Sequence, residues 1–179
     1  MNKKVRGLII LALALAIPIL IIANQHILSE YEWGTLGYLG VFVVMLITSA
    51  TVILPVPGLA VATVAGAFAN PLLVGIAGGL GSALGEFTGY LAGYGGVDVI
   101  NGKMQEYERM KSKLTEKDRA FAMIFFLALI PNPLFDIAGI AAGAIKYPWW
   151  KYFIACALGK IIKVAVFAYM GYLAMAALL

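Results

Sequence analysis

Two apolar stretches of the chain are each interrupted by a Pro-x-Pro pair. Pro55 and Pro57 break "VVMLITSATVILPVPGLAVATVAGAFAN", and Pro131 and Pro133 break "AFAMIFFLALIPNPLFDIAGIAAG". Proline has no N–H and its ring clashes with the carbonyl four residues earlier, so no regular helix runs through either site. The pieces that remain are short. Residues 59–70 make about 18 Å of helix, residues 120–130 about 17 Å and residues 134–145 about 18 Å, against a bilayer hydrocarbon core of about 30 Å. Two short apolar helices joined by such a break predict a re-entrant hairpin, which dips into a membrane and returns to the same side. Irregular backbone at that depth is tolerated only where protein or a wet cavity surrounds it.

The membrane setting follows from composition. The chain is 63% hydrophobic and 12% charged, with mean hydropathy +0.94, whereas soluble domains carry about 25% charged residues. The +4 net charge comes from basic residues that flank apolar segments, where they set orientation, and it does not point to nucleic acid. Cys156 is the one cysteine, so no internal disulfide exists, and it is expected to be a small packing residue.

Lys3, Lys4 and Arg6 precede an apolar run over residues 7–23, read as an uncleaved first transmembrane helix kinked at Pro18. Residues 25–34 carry Glu30 and Glu32 but no Lys or Arg, while residues 98–119 carry six Lys/Arg in an amphipathic pattern. Positive charge stays inside, so 98–119 and the N-terminus are assigned to the cytoplasm and 25–34 to the outside. The membrane is read as the plasma membrane of a prokaryote. The expected organisation is an N-terminal helix with its external loop (1–34), a first repeat (35–97) whose transmembrane helix spans 71–97, a cytoplasmic charged segment (98–119), and a second repeat (120–179) whose transmembrane helix spans 148–179.

The repeats are visible in the letters. Pro55 and Pro57 match Pro131 and Pro133 at an offset of 76, Gly66 and Pro71 match Gly143 and Pro148 at 77, and Gly81 and Gly93-Tyr94 match Gly159 and Gly171-Tyr172 at 78. The orientation makes the first hairpin enter from outside and the second from inside. The fold class expected is therefore an all-α integral membrane protein of two inverted repeats, each a re-entrant hairpin and a long helix. Secondary transporters use this plan, with their sites near the midplane at the broken helices.

The run "IPNPLFDIAG" with Gly143, Pro148 and "LGK" at 158–160, together with Pro55-x-Pro57, "AGAFANP" and "GSALGEFTGYLAGYGG", resembles the vacuole membrane protein branch of the DedA (VTT-domain) superfamily over about residues 45–173. The resemblance implies two inverted re-entrant hairpins and lipid translocation: energy-independent phospholipid scrambling as in eukaryotic members, or undecaprenyl phosphate recycling and proton-dependent transport as in bacterial ones. Bacterial members usually carry an acid after the first Pro-x-Pro and an arginine just before the second; residues 58–70 have no acid, and Ala128 and Leu129 stand where the arginine would be. These departures weaken the proton-coupled, phosphate-binding version.

Charged residues within spans are costly and usually functional. Glu86, Asp136, Lys160 and Lys163 are the candidates, and with Asn132, whose amide can satisfy freed backbone or contact a headgroup, they are expected to line a lipid pathway. Glu86 is read either as a structural partner for a lysine or as a pathway group. Asp136 can cap the helix after the break, pair with a lysine or contact lipid. Lys160 and Lys163 share a helix face; one is expected to neutralise a carboxylate, leaving the other for a lipid phosphate. Gly81, Gly85, Gly89 and Gly93 form a ridge for close helix contact, either against the other repeat or in a homodimer seam. Trp149, Trp150 and Tyr152 are assigned to an interfacial belt.

No Walker motif, metal-ligand cluster or catalytic triad is present, so no enzyme activity, metal or cofactor is expected, and the partners are membrane phospholipids. The function expected is a lipid transporter, foremost an energy-independent scramblase. The competing readings are a proton- or ion-coupled transporter using Glu86 and Asp136, and a scaffold whose broken helices only pack.

Overall fold

The computed structural model describes residues 34–50, 58–95, 117–132 and 134–178. The expected first helix with Pro18, the cytoplasmic segment up to 116, and the break residues Pro55, Pro57 and Pro133 lie outside the described residues. Six α-helices are described: α1 (Thr35–Ala50), α2 (Gly58–Phe68), α3 (Pro71–Gly95), α4 (Lys117–Leu129), α5 (Leu134–Ala144) and α6 (Trp149–Leu178). Among the described residues, only α3 and α6, at 25 and 30 residues, are long and apolar enough to cross a bilayer. The helices α2 and α5 have 11 residues each, about 16 Å, roughly half a hydrocarbon core.

Local chemistry sets the joints. Asn70 and Pro71 start α3 in the manner of an N-cap followed by proline at the first helical position. The Asn70 Oδ1 accepts hydrogen bonds from the Leu72 and Leu73 amides at 3.0 and 3.3 Å. At the other turn α5 closes through Lys146, in the left-handed region at φ 54°. The Lys146 amide donates to the Gly143 carbonyl and the Tyr147 amide to the Ala142 carbonyl, both at 2.9 Å, a Schellman-type closure.

The closest helix contacts rely on small residues, beside a core that also buries Tyr90, Ile124, Phe135 and Tyr152. Lipid tails are as apolar as leucine, so helices associate in a membrane by close backbone approach. The long helices α3 and α6 cross where Gly75 faces Ala165, Gly78 faces Val164 and Gly79 faces Ile161. Each long helix then carries one short helix from either side in sequence: α1 and α5 pack on α3, and α4 and α2 pack on α6. The closest approaches come in matching pairs. Gly66 of α2 abuts the Ala168 carbonyl of α6, and Gly143 of α5 abuts the Tyr90 carbonyl of α3; Gly171 abuts the Thr63 carbonyl, and Gly93 the Ile140 carbonyl. The residues in each pair of contacts are separated by the same 77–78 positions that relate the glycines and prolines in the sequence.

The glycine ridge of α3 is consumed by these contacts. Gly81 and Gly85 lie against the backbone of α1 at Phe42 and Leu46, Gly93 against α5, and Gly89 has the Asp136 carbonyl of α5 at 3.9 Å from where a Cβ would stand. Half the ridge thus serves α1, which precedes the first break, rather than the second half of the chain. Gly81, Gly85 and Gly93 are buried inside the chain and cannot form a dimer seam.

Candidate functional site

The four charged residues singled out above fall on three helices that meet at one place. Glu86 is on α3, Asp136 in the first turn of α5, and Lys160 and Lys163 on α6. The Lys160 Nζ donates to the Glu86 Oε1 at 2.6 Å, and the two side chains are 6% and 11% exposed. The same ammonium stands 4.9 Å from the ring centroid of Phe135, in reach of a cation–π attraction. The neighbouring Asp136 brings its carboxyl next to that of Glu86. Lys163, 9% exposed, lies beside Lys160 one turn along α6. Two carboxyls and two ammonium groups so form a cluster whose formal charges sum to zero. Removing charges from water is costly, and a buried pair persists only with good geometry and local compensation.

Asn132 has a different place. Its side-chain amide donates to the Leu127 and Ile130 carbonyls, each at 2.8 Å, and its Oδ1 accepts from the Leu134 amide at 3.0 Å. It closes the end of α4 and opens α5 with one side chain. The capping role considered for Asp136 is therefore taken by Asn132, which leaves the Asp136 carboxyl free to face Glu86. Pro131 is exposed beside it.

Tyr152 corrects an expectation. Assigned to an interfacial belt with Trp149 and Trp150, it is 0% exposed, while the tryptophans are 61% and 50% exposed. It shares a face with Cys156 and Lys160 at a spacing of four, a signal readable in the sequence. Its ring stacks on Tyr90 at 5.0 Å between centroids, and its hydroxyl, buried in the space left by Gly139, has no hydrogen-bond partner among the described residues. Tyr90, itself buried, donates to the Tyr147 carbonyl at 2.6 Å, tying α3 to the turn before α6. Among the described residues no group of three or more His, Cys, Asp and Glu is placed to hold a metal ion. What the cluster can do is exchange charge partners: an incoming anion competes with Glu86 for the lysines, and an incoming cation or proton competes for the carboxyls.

The family model of the VTT domain matches residues 56–173, which enclose every residue of this cluster. The chain belongs to the VTT domain family. Its relatives include the vacuole membrane protein KMS2 of Arabidopsis thaliana, 37% identical over 101 residues, covering 47% of this chain and 24% of that protein. Vacuole membrane protein 1 of Homo sapiens is 34% identical over 104 residues, 47% of this chain and 26% of that protein. A vacuole membrane protein 1 homolog of Dictyostelium discoideum is 41% identical over 69 residues, 35% and 17% of the two. The matched part of this VTT-domain chain thus corresponds to about a quarter or less of these relatives' length. No solved structure matches it.

Proposed function

We propose that this VTT-domain membrane protein moves phospholipids between the leaflets of a bilayer without an energy source. The observation that carries the reading is the meeting of half-length helices with a buried, internally compensated charge cluster at the crossing of the two long helices. A helix of 11 residues that ends inside a bilayer thins the apolar barrier locally, and a neutral-sum cluster with exchangeable partners suits a zwitterionic headgroup. In this reading the two halves are inverted repeats, with α1–α2 and α4–α5 as re-entrant hairpins entering from opposite sides. The paired contacts at offsets of 77 and 78 support that symmetry. Residues 35–97 and 120–179 are the two repeats, 98–119 is the cytoplasmic connection, phospholipids are the partners, and no bond-making chemistry is involved. The names of the relatives point to vacuole membranes of eukaryotes, and nothing among them favours the prokaryotic plasma membrane expected from the sequence.

A second reading, transport coupled to protons and extending to polyprenyl phosphates, draws on one feature, the adjacent carboxyls of Glu86 and Asp136, which can share a proton. Purified protein in vesicles containing fluorescent phospholipids separates the two. Dithionite quenching beyond the outer-leaflet half, without ATP or a gradient, is the result expected. Quenching that needs a pH gradient supports the coupled transporter, and none under either condition leaves only a packing scaffold.

A further inference from the structure

Away from the charge cluster, an open cleft of about 480 Å³ lies at the turn between α2 and α3, lined by Phe68, Ala69, Asn70 and, from the last turns of α6, Tyr169 and Tyr172. This is within the range of small-ligand sites. Among the described residues no charged side chain lines it. The C-terminus of α2 ends there, at Phe68, and the terminal carbonyls of a helix carry partial negative charge that favours cations. Tyrosine faces do the same.

The other half of the chain shows what occupies the equivalent place. At an offset of 77, Ala69 corresponds to Lys146 and Pro71 to Pro148; at 78, Tyr172 corresponds to Tyr94. There the Lys146 Nζ stands 5.8 Å from the centroid of the Tyr94 ring, after the C-terminus of α5. The second half thus fills its site with its own ammonium. In the first half alanine replaces the lysine, and the aromatic wall is left open.

We propose that the α2–α3 cleft binds the ammonium end of a zwitterionic phospholipid headgroup, choline above all. Methylated ammonium is the cation that aromatic walls take best, as in the recognition of quaternary ammonium ligands. The occupant is a lipid rather than a free amine because Leu72, Leu73 and Leu173 are 51%, 46% and 62% exposed around the ends of these helices, offering an apolar bed for acyl chains. Among the described residues no basic side chain stands in the wall, and a purely anionic headgroup meets only the N-terminus of α3, whose first amides Asn70 already caps. This inference uses the correspondence between the halves and the membrane setting, and it stands whether or not the protein moves lipid.

The test is native mass spectrometry of the full chain in detergent, titrated with phosphatidylcholine and with phosphatidylglycerol of the same acyl chains. The wild type is expected to retain phosphatidylcholine preferentially. Tyr172→Leu should weaken that binding roughly three- to thirtyfold, Tyr172→Phe should keep it, and Ala69→Lys, which copies the second half, should weaken it too. Phosphatidylglycerol binding should be the same in all of them. Equal retention of the two lipids by the wild type, or unchanged phosphatidylcholine binding in Tyr172→Leu, overturns the proposal; should Ala69→Lys fail to fold, the Leu and Phe variants decide it. Selective binding without scrambling in vesicles defeats the transport reading alone, and scrambling without selective binding defeats this one alone.

Discussion

Glu86 and Lys160, 74 residues apart in the chain, are joined at 2.6 Å across the crossing of α3 and α6, with both side chains almost wholly withdrawn from solvent. The bond fixes the rotation of each long helix about its axis, because a carboxylate one residue away on α3 would point to a different neighbour. It also fixes α5, since Asp136 and Phe135 complete the surroundings of the same two groups.

Removing one partner strands the other charge in an apolar interior, at a cost of about 3–5 kcal/mol. Lys160→Ala should therefore lower the melting temperature in detergent strongly. Glu86→Gln should be milder, because Asp136 stands beside it and can take over Lys160, while Glu86→Gln with Asp136→Asn should match the lysine variant. Thermal melts of the three proteins check this, and an additive Glu86→Ala/Lys160→Ala double variant would show that the contact carries no coupling.

Asn132→Ala should cost about 1–2 kcal/mol, since one side chain supplies the acceptor at the start of α5 and the donors at the end of α4. Asn132→Asp keeps the acceptor but turns an oxygen toward two carbonyls, so it should be no better than alanine. Asp136→Asn leaves this cap intact. A melt in which Asp136→Asn falls as far as Asn132→Ala would reverse the assignment.

Part of this is legible in the sequence itself. The charged residues in apolar runs and the break at Pro131 stand out because each violates what a plain membrane span tolerates, and the glycines because they recur at a fixed offset; the break at Pro55 and Pro57 lies outside the described residues. The partner of Glu86 was not readable, since Lys160 and Lys163 share a face and only the crossing of α3 and α6 chooses between them. Tyr152 adjoins two tryptophans and so resembles a belt residue, while its spacing to Cys156 and Lys160 puts it on the buried face. Asn132 between two prolines suggests an amide that satisfies freed backbone or meets a headgroup, and its reach to both helix ends depends on a turn geometry that composition does not encode. The fit of Gly81 and Gly85 against α1 was hidden for the same reason: small residues announce a close approach without naming the neighbour.

Glycine substitutions should report the pairing of the halves. A Cβ at Gly66 meets the backbone of Ala168 and one at Gly143 the backbone of Tyr90, and neither backbone can move as a side-chain end would. Each Gly→Ala change should destabilise by about 1–3 kcal/mol or more. Gly40→Ala, which meets nothing within 4 Å, and Gly89→Ala, with its nearest contact at 3.9 Å, should be close to neutral or gain slightly in helix propensity. Thermal melts rank the four, and a tolerated Gly143→Ala would contradict the packing.

The proposed entry of the two hairpins from opposite sides makes a labelling prediction. Asn70 and Lys146 are exposed residues at the two turns, and Cys156 is buried. In a Cys156→Ala background, cysteines placed at 70 and 146 should react with a membrane-impermeant maleimide from opposite sides of sealed vesicles. Labelling of both from one side would sink the inverted repeat.

Lys163 carries the last prediction. Lys160 has Glu86, but among the described residues no carboxylate stands within ion-pair distance of Lys163, and its neighbour along the face is another cation. A buried ammonium without its own counter-ion lowers stability, so Lys163→Met should melt at or above the wild-type temperature. If the group serves a passing phosphate, the same change should slow phospholipid movement in vesicles. A hydrogen bond to a charged group contributes about 1.5–3 kcal/mol, or roughly tenfold and more in rate if it acts in the limiting step. Lys163→Arg should keep most of the activity, because guanidinium also binds phosphate. Stability and transport moving in opposite directions in Lys163→Met is the signature of a functional lysine. A loss of both, or of neither, would make it a packing residue.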